Sequence, residues 1–99
     1  MTIAHLRTYT INKGMMDSWL KLFDETLIDV MDGFGMKAET VWVNEEESQF
    51  IWIRSYGETM DELEEKEAAF YGSEWWEENM PLVRGHLAHR DIQVIKSVD

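Results

Sequence analysis

Residues 49–56, Gln49-Phe50-Ile51-Trp52-Ile53-Arg54-Ser55-Tyr56, decide the fold. β-Branched and aromatic residues fill the run, and it stops at Gly57, so it reads as a strand. Side chains alternate along a strand, which puts Ile51 and Ile53 on one face and Phe50, Trp52, Arg54 and Tyr56 on the other. Just upstream, the acidic run Glu45-Glu46-Glu47-Ser48 is short enough to turn the chain back on a second strand, Lys37–Asn44. The two strands therefore form an antiparallel hairpin.

Working outward, residues 3–11 (Ile-Ala-His-Leu-Arg-Thr-Tyr-Thr-Ile) make another strand, closed by the turn Asn12-Lys13-Gly14. Between it and the hairpin, Met16, Trp19, Leu20, Phe23, Leu27, Val30, Met31 and Phe34 recur at three- and four-residue spacing. That is a long amphipathic helix, stopped by Gly33 or Gly35. After the hairpin, Thr59-Met60-Asp61-Glu62 has capping-box spacing and opens a helix carrying Leu63, Glu67 and Phe70. Gly72-Ser73 interrupts it, and Ser73 caps a short helix with Trp75 and Trp76 that Pro81 is expected to end. Leu87–Val98 reads as the last strand. The order β-α-β-β-α-β predicts an α+β, ferredoxin-like domain with an antiparallel sheet, spanning residues 1–99 as one unit.

Two helices on one side of such a sheet cover only one face. The smaller aliphatic face (Leu6, Thr8, Thr10, Val41, Val43, Ile51, Ile53) is expected beneath them. The other face carries His5, Arg7, Tyr9, Trp42, Phe50, Trp52, Arg54 and Tyr56, and left in water it would be a large apolar patch. A second copy stacked sheet to sheet would cover it, so the sequence predicts a homodimer with a pocket between the sheets.

The formal charge is −11, from nine Lys+Arg against twenty Asp+Glu. A field of that sign repels phosphate backbones and anionic bilayers, so neither nucleic acid nor membrane is an expected partner. Cysteine is absent, which removes disulfides, thiolate nucleophiles and Cys-based metal sites. No run approaches the ~20 apolar residues of a membrane span, and residues 1–5 show no signal-peptide pattern. Cytoplasm is the expected compartment.

Several strings resemble the NIPSNAP family. Leu6-Arg7-Thr8-Tyr9-Thr10-Ile11-Asn12-Lys13-Gly14 is similar to its opening strand and turn, with Lys13 where a proline is common. Gly35-Met36-Lys37 leading into Val41-Trp42-Val43, the pair Arg54 and Tyr56, and Phe70-Tyr71-Gly72-Ser73-Glu74-Trp75 are similar to later segments. The resemblance implies the dimeric α+β barrel superfamily, whose members include cofactor-free monooxygenases, haem-degrading enzymes, lactone isomerases and polyketide cyclases.

Arg7 and Arg54 sit on strands that this topology makes neighbours. Their guanidiniums suit a carboxylate, enolate or phenolate, or alternatively a carboxylate at a dimer seam. Tyr9 and His5 share the face and offer a donor and a titratable group for proton transfer, or else plain structural hydrogen bonds. Trp42, Phe50, Trp52 and Trp76 would wall the pocket, or only fill space. His86 and His89 lack a third ligand at metal-site spacing, so no metal or other cofactor is expected. The expected catalytic set is Arg7, Tyr9 and Arg54. The expected function is a small-molecule enzyme or binder for an apolar aromatic or polyketide-like compound, acting by cofactor-free isomerisation, cyclisation or oxygenation. The alternative is a homodimeric interaction module without a ligand, and the sequence does not choose between enzyme and binder.

Overall fold

A computed structural model describes residues 1–98. Four antiparallel strands, β1 (Ile3–Ile11), β2 (Lys37–Val43), β3 (Gln49–Gly57) and β4 (Leu87–Lys96), lie in the order β2-β3-β1-β4. Both β1 and β3 are thus interior strands. The connections are α1 (Met16–Leu22), a π-helical segment (Phe23–Leu27) and α2 (Ile28–Gly33), continuous as one rod, and then α3 (Met60–Tyr71) and α4 (Glu74–Arg84). This is the ferredoxin-like βαββαβ arrangement expected. Among the described residues, no helix is long and apolar enough to cross a membrane.

Local signals explain the boundaries. Gly35, at φ +80°, stops the first rod, and the Met36 N–H bonds back to the Met31 carbonyl. Thr59 and Glu62 form both halves of the capping box that starts α3, and the Ser73 hydroxyl accepts from Trp76 N–H to start α4. Pro81 does not end α4 but sits within its last turn; the helix closes at Gly85, whose N–H reaches the Pro81 carbonyl. Asn44 holds the hairpin turn by accepting from the N–H groups of Ser48 and Gln49.

The π segment has a packing reason. Trp19, Phe23, Leu27 and Met31 are all buried and follow one another at strict four-residue steps. On a regular α-helix each such step drifts by about 40° around the axis. Five residues of wider π winding offset that drift, so the four side chains stay in one seam over the sheet.

The sheet faces are the reverse of the expectation. On β1, His5, Arg7, Tyr9 and Ile11 are buried, and on β3 so are Phe50, Trp52, Arg54 and Tyr56. This ring-rich face packs under the helices: Phe23 lies 4.7 Å from Phe50 and 5.0 Å from Trp52, ring centre to ring centre. Ile51 and Ile53 face the other way, towards the side that carries no helix. The physical reason is area. Rings bury roughly 150–250 Å² each, far more than the aliphatic set, and burial scales with area removed from water. The polar groups that accompany them are satisfied by one another.

Strand β2 departs differently. An irregularity between Ala38 and Thr40 resets its pairing, so Val41 stands opposite Trp52 and Trp42 opposite Ile51. Val41 and Val43 therefore belong to the helix-covered face, as expected, but they share it with Trp52. Trp42, expected in the pocket with Trp52, projects from the open face and is 65% exposed.

Candidate functional site

Between sheet and helices lies a pocket whose floor is β1, β3 and β4 and whose roof is the helical layer. Arg7, Tyr9, Trp52 and Arg54 form the floor; Trp19, Phe23, Leu27 and Met31, the π-bulged seam, form much of the roof. Phe70 and Tyr71 from the end of α3 and Trp76, Val83 and Arg84 from α4 close one side, with Leu87 and Arg90 of β4. Arg84 and Arg90 are exposed, which puts the mouth beside them. The space around the pocket and its mouth, open solvent included, is ≈ 390 Å³. The closed cavity itself is only ≈ 30 Å³, well below the volume of small-molecule sites, so a ligand larger than water enters only when lining side chains move apart.

The pocket is thus made within one chain, under the helices, and not between two sheets as expected. The expected residues divide accordingly. Arg7, Tyr9, Arg54, Trp52 and Trp76 line it. His5 stands behind Arg7, as a hydrogen-bond partner rather than a wall. Phe50 is fully buried in the adjoining ring cluster with Trp19, Phe23 and Tyr9. Trp42 is on the far side of the sheet.

At the floor, the two guanidiniums are held in a common network. Arg7 is 1% and Arg54 2% exposed. Each donates through Nε to the tyrosine two residues along its own strand: Arg7 to Tyr9 Oη at 2.8 Å, Arg54 to Tyr56 Oη at 2.7 Å. Strand alternation makes this possible, because residues i and i+2 share a face. Both arginines then converge on one atom. Tyr71 Oη accepts from Arg54 Nη2 at 3.1 Å and from Arg7 Nη2 at 3.3 Å. Their planes also lie near the ring of Trp52, at 5.9 Å for Arg7 and 5.6 Å for Arg54.

His5 closes the network. Its Nδ1 accepts from Arg7 Nη1 at 3.1 Å and from Tyr56 Oη at 2.7 Å, which leaves the proton on Nε2, 3.6 Å from Glu67 Oε1. Burial, with the Arg7 and Arg54 charges beside it, lowers the His5 pKa to about 4, so the ring is neutral at pH 7. Glu67, one turn before Tyr71 on α3, also pairs with Arg54 Nη2 at 3.4 Å. Among the described residues it is the only carboxylate paired with either buried guanidinium. Two cations against one anion leave one positive charge in excess.

That excess acts on the phenols in opposite directions. Tyr56 is pushed up to about 12, chiefly by burial, and stays a neutral donor. For Tyr71, burial alone would also raise the pKa, but the Arg54 and Arg7 charges and the Arg54 hydrogen bond outweigh it and hold the phenol below its ordinary range. Arg7 itself is held charged: burial opposes this, and the surrounding Tyr9, Tyr71 and Tyr56 oxygens overcome it. One phenol held above its ordinary range and one held below it, in a single cluster, are two acids set apart by environment.

The indole N–H groups of Trp19 and Trp52 are buried without a protein acceptor, and both rings line the pocket. The site is therefore rich in donors. It can hold an acceptor-rich anion against aromatic walls, stabilise charge developing on a carbonyl oxygen, and exchange a proton through Tyr71.

Tyr71, Tyr56, Glu67, Arg84 and Arg90 were not among the expected site residues. The four-residue spacing of Glu67 and Tyr71 on one helix face was a usable signal. The histidines outside the cluster are accounted for locally. His86 is buried between Ser18 Oγ and the Leu82 carbonyl, each at 2.8 Å, and His89 meets Asp91 at 3.2 Å on the surface.

Comparison with known proteins identifies the same architecture. The NIPSNAP family model matches residues 4–98. A NIPSNAP family protein from Agrobacterium tumefaciens superposes with a TM-score of 0.87 at 20% identity, over 100% of this chain and 95% of that one. An uncharacterized NIPSNAP domain protein from Burkholderia xenovorans gives 0.83 at 13% identity, over 97% and 94%. A putative antibiotic biosynthesis monooxygenase from Nitrosomonas europaea gives 0.72 at 8% identity, over 98% and 90%. No curated protein matches the sequence.

Proposed function

Since the chain belongs to the NIPSNAP family, we propose that it is a small-molecule protein whose pocket holds an apolar, aromatic or polyketide-like compound by an anionic or enolisable carbonyl group. One observation carries this reading. The sequence has four arginines, Arg7, Arg54, Arg84 and Arg90, and all four line this one pocket, whereas no Asp or Glu among the described residues does. In a chain of net charge −11 that segregation selects for an anion.

The chemistry we assign to it is enolisation. With the carbonyl oxygen against Arg7 and Arg54, the Tyr71 phenolate takes the proton from the adjacent carbon. The electron pair of that C–H bond moves onto oxygen, where the two guanidiniums meet the negative charge. Return of the proton at another carbon is an isomerisation, and attack of the enolate carbon on a second carbonyl is a cyclisation. Attack on dioxygen, the chemistry that the description of the Nitrosomonas neighbour suggests, starts from the same enolate. Entry of a ring requires the side chains lining the mouth to move apart.

Calorimetric titration tests the binding claim. Phenylacetate should bind at pH 7.5, and its methyl ester should bind at least about tenfold more weakly. Arg7→Lys should lose a similar factor, because an ammonium cannot reproduce the planar fork. Equal binding of acid and ester would overturn the reading.

The competing reading is a homodimeric module without a ligand. The open sheet face, with Leu6, Ile51, Ile53 and the exposed Trp42, favours self-association. We assign that dimer to the open face, so that the pocket stays free on each chain.

A further inference from the structure

The two outer arginines have no role in the enolisation just described. Arg84 ends α4 and Arg90 follows the start of β4, paired across the sheet with Tyr9. Among the described residues neither meets a carboxylate; the recorded neighbour of Arg84 is the Trp76 ring. Both border the inner pocket, and both also border a second, shallow depression formed with Leu87, Ala88 and His89. That depression has no acidic residue in its lining. The inner pocket therefore leads out past two guanidiniums that meet no carboxylate among the described residues, onto a polar depression beside which Asp91 pairs with His89. The acidic excess lies elsewhere in the sequence, with Glu45–Glu47, Asp61–Glu67 and Glu74–Glu78 among its runs.

Exposed cations in an acidic protein ordinarily find carboxylates. Here Glu77 and Glu78 lie on α4, within two turns of Arg84, and pair with neither arginine. Stacking on Trp76 holds the Arg84 guanidinium over the mouth, with its in-plane N–H donors still available. Two forked donors at an entrance suit a second anionic group, and its distance from the buried pair sets the length of the ligand.

We infer that the pocket takes a two-headed ligand: a carbonyl or carboxylate end on Arg7, Arg54 and Tyr71, an apolar aromatic middle against Trp52 and Trp76, and a second anion, carboxylate or phosphate, on Arg84 and Arg90. This rests on the pocket reading proposed above and narrows it from an anion to a ligand with anionic groups at both ends. A carboxylate would belong to a free diacid. A phosphate would belong to a phosphorylated compound or to a carrier's phosphate-bearing arm, which would present the reacting carbonyl through the mouth.

A matched series separates these cases. Phenylacetate has one head, 1,4-phenylenediacetate has two carboxylate heads, and 4-(phosphonooxy)phenylacetate has a phosphate as its second head. Titrated into the intact protein at low salt, at least one two-headed probe should bind about tenfold or more tighter than phenylacetate, with the advantage shrinking at high salt. In the Arg84→Gln/Arg90→Gln double variant that advantage, taken as the ratio of two-headed probe to phenylacetate affinity within the one protein, should fall to within about twofold. Both side chains are exposed, so folding should be unaffected; circular dichroism checks this. Which two-headed probe gains more identifies the second group. If phenylacetate binds but neither two-headed probe is tighter, or if the advantage survives in the double variant, the second anion site is wrong and the pocket reading stands. If none of the three binds, the pocket reading fails and the inference with it.

Discussion

Taking this protein from pH 7.5 to pH 5.0 should cost it about 2 kcal/mol of stability through one side chain, His5. In the folded chain the ring is buried, accepts from Arg7 and Tyr56 at Nδ1, and has its pKa lowered to about 4 from 6.5. Its folded-state pKa is depressed, so the unfolded chain binds the proton more tightly. Stability is therefore full above pH 6.5 and is lost as the pH falls towards 4. At pH 5.0 about nine-tenths of the folded histidine is still neutral against about a thirtieth of the unfolded one, a ratio of about thirty that corresponds to about 2 kcal/mol. Most of this loss falls above about pH 4.5, the upper end of the range of an unperturbed carboxylic acid in a model peptide. The control is His5→Asn, whose Oδ1 can stand where Nδ1 accepts but takes up no proton. Urea unfolding followed by tryptophan fluorescence should show the two proteins diverging as pH falls, with the wild type losing about 2 kcal/mol relative to the variant. Parallel stability curves between pH 7.5 and 5.0 would refute a neutral, buried His5.

Two further outcomes are expected. In an ultraviolet titration of the three tyrosines, one phenol should ionise below the ordinary value of about 10, and Tyr71→Phe should remove that step while the step near 12 persists; an unchanged first step would place the ionisable phenol elsewhere. Trp52→Ala should cost about 3–5 kcal/mol, because the ring is buried under the helices, whereas Ile53→Ala should cost about 1–2 kcal/mol and weaken self-association. Light scattering should find the wild type near twice 11.7 kDa, and a persistent monomer would remove the open-face dimer.

The element order was legible because each boundary carries its own chemistry. The Thr59–Glu62 capping box, the Ser73 cap and the left-handed Gly35 are local, and each formed as read. What the sequence hid was which face of the sheet turns inward. Alternation sorts residues into two sets, but it does not say which set meets the helices; that depends on the total area each set can bury. The smaller aliphatic set was expected beneath the helices, and the face with rings, arginines and a histidine against a second copy. The arginines' partners, Tyr9 and Tyr56, stand two residues away on the same strands, and Glu67 and Tyr71 come from a helix sixty residues downstream of β1. The Glu39 irregularity was invisible for a related reason: one extra residue in β2 leaves its composition unchanged while resetting which side chains share a face with Trp52.

The arginines themselves were the more readable clue, though only in aggregate. Any one of them is an ordinary strand or helix-end residue. Four arginines against twenty carboxylates, gathered on one pocket, is a distribution that solubility does not call for. The five lysines carry the surface role, since none of them lines the pocket. The division follows from the side chains. A guanidinium can be buried if five donors find acceptors in a plane, and the tyrosine hydroxyls of neighbouring strands supply such acceptors at a fixed spacing. A lysine at position 7 or 54 would face Tyr9 or Tyr56 with a single point charge and reach Tyr71 from only one side. Placing Tyr71 between the two forks therefore depends on arginine at both positions, and that convergence sets its phenol apart from Tyr56.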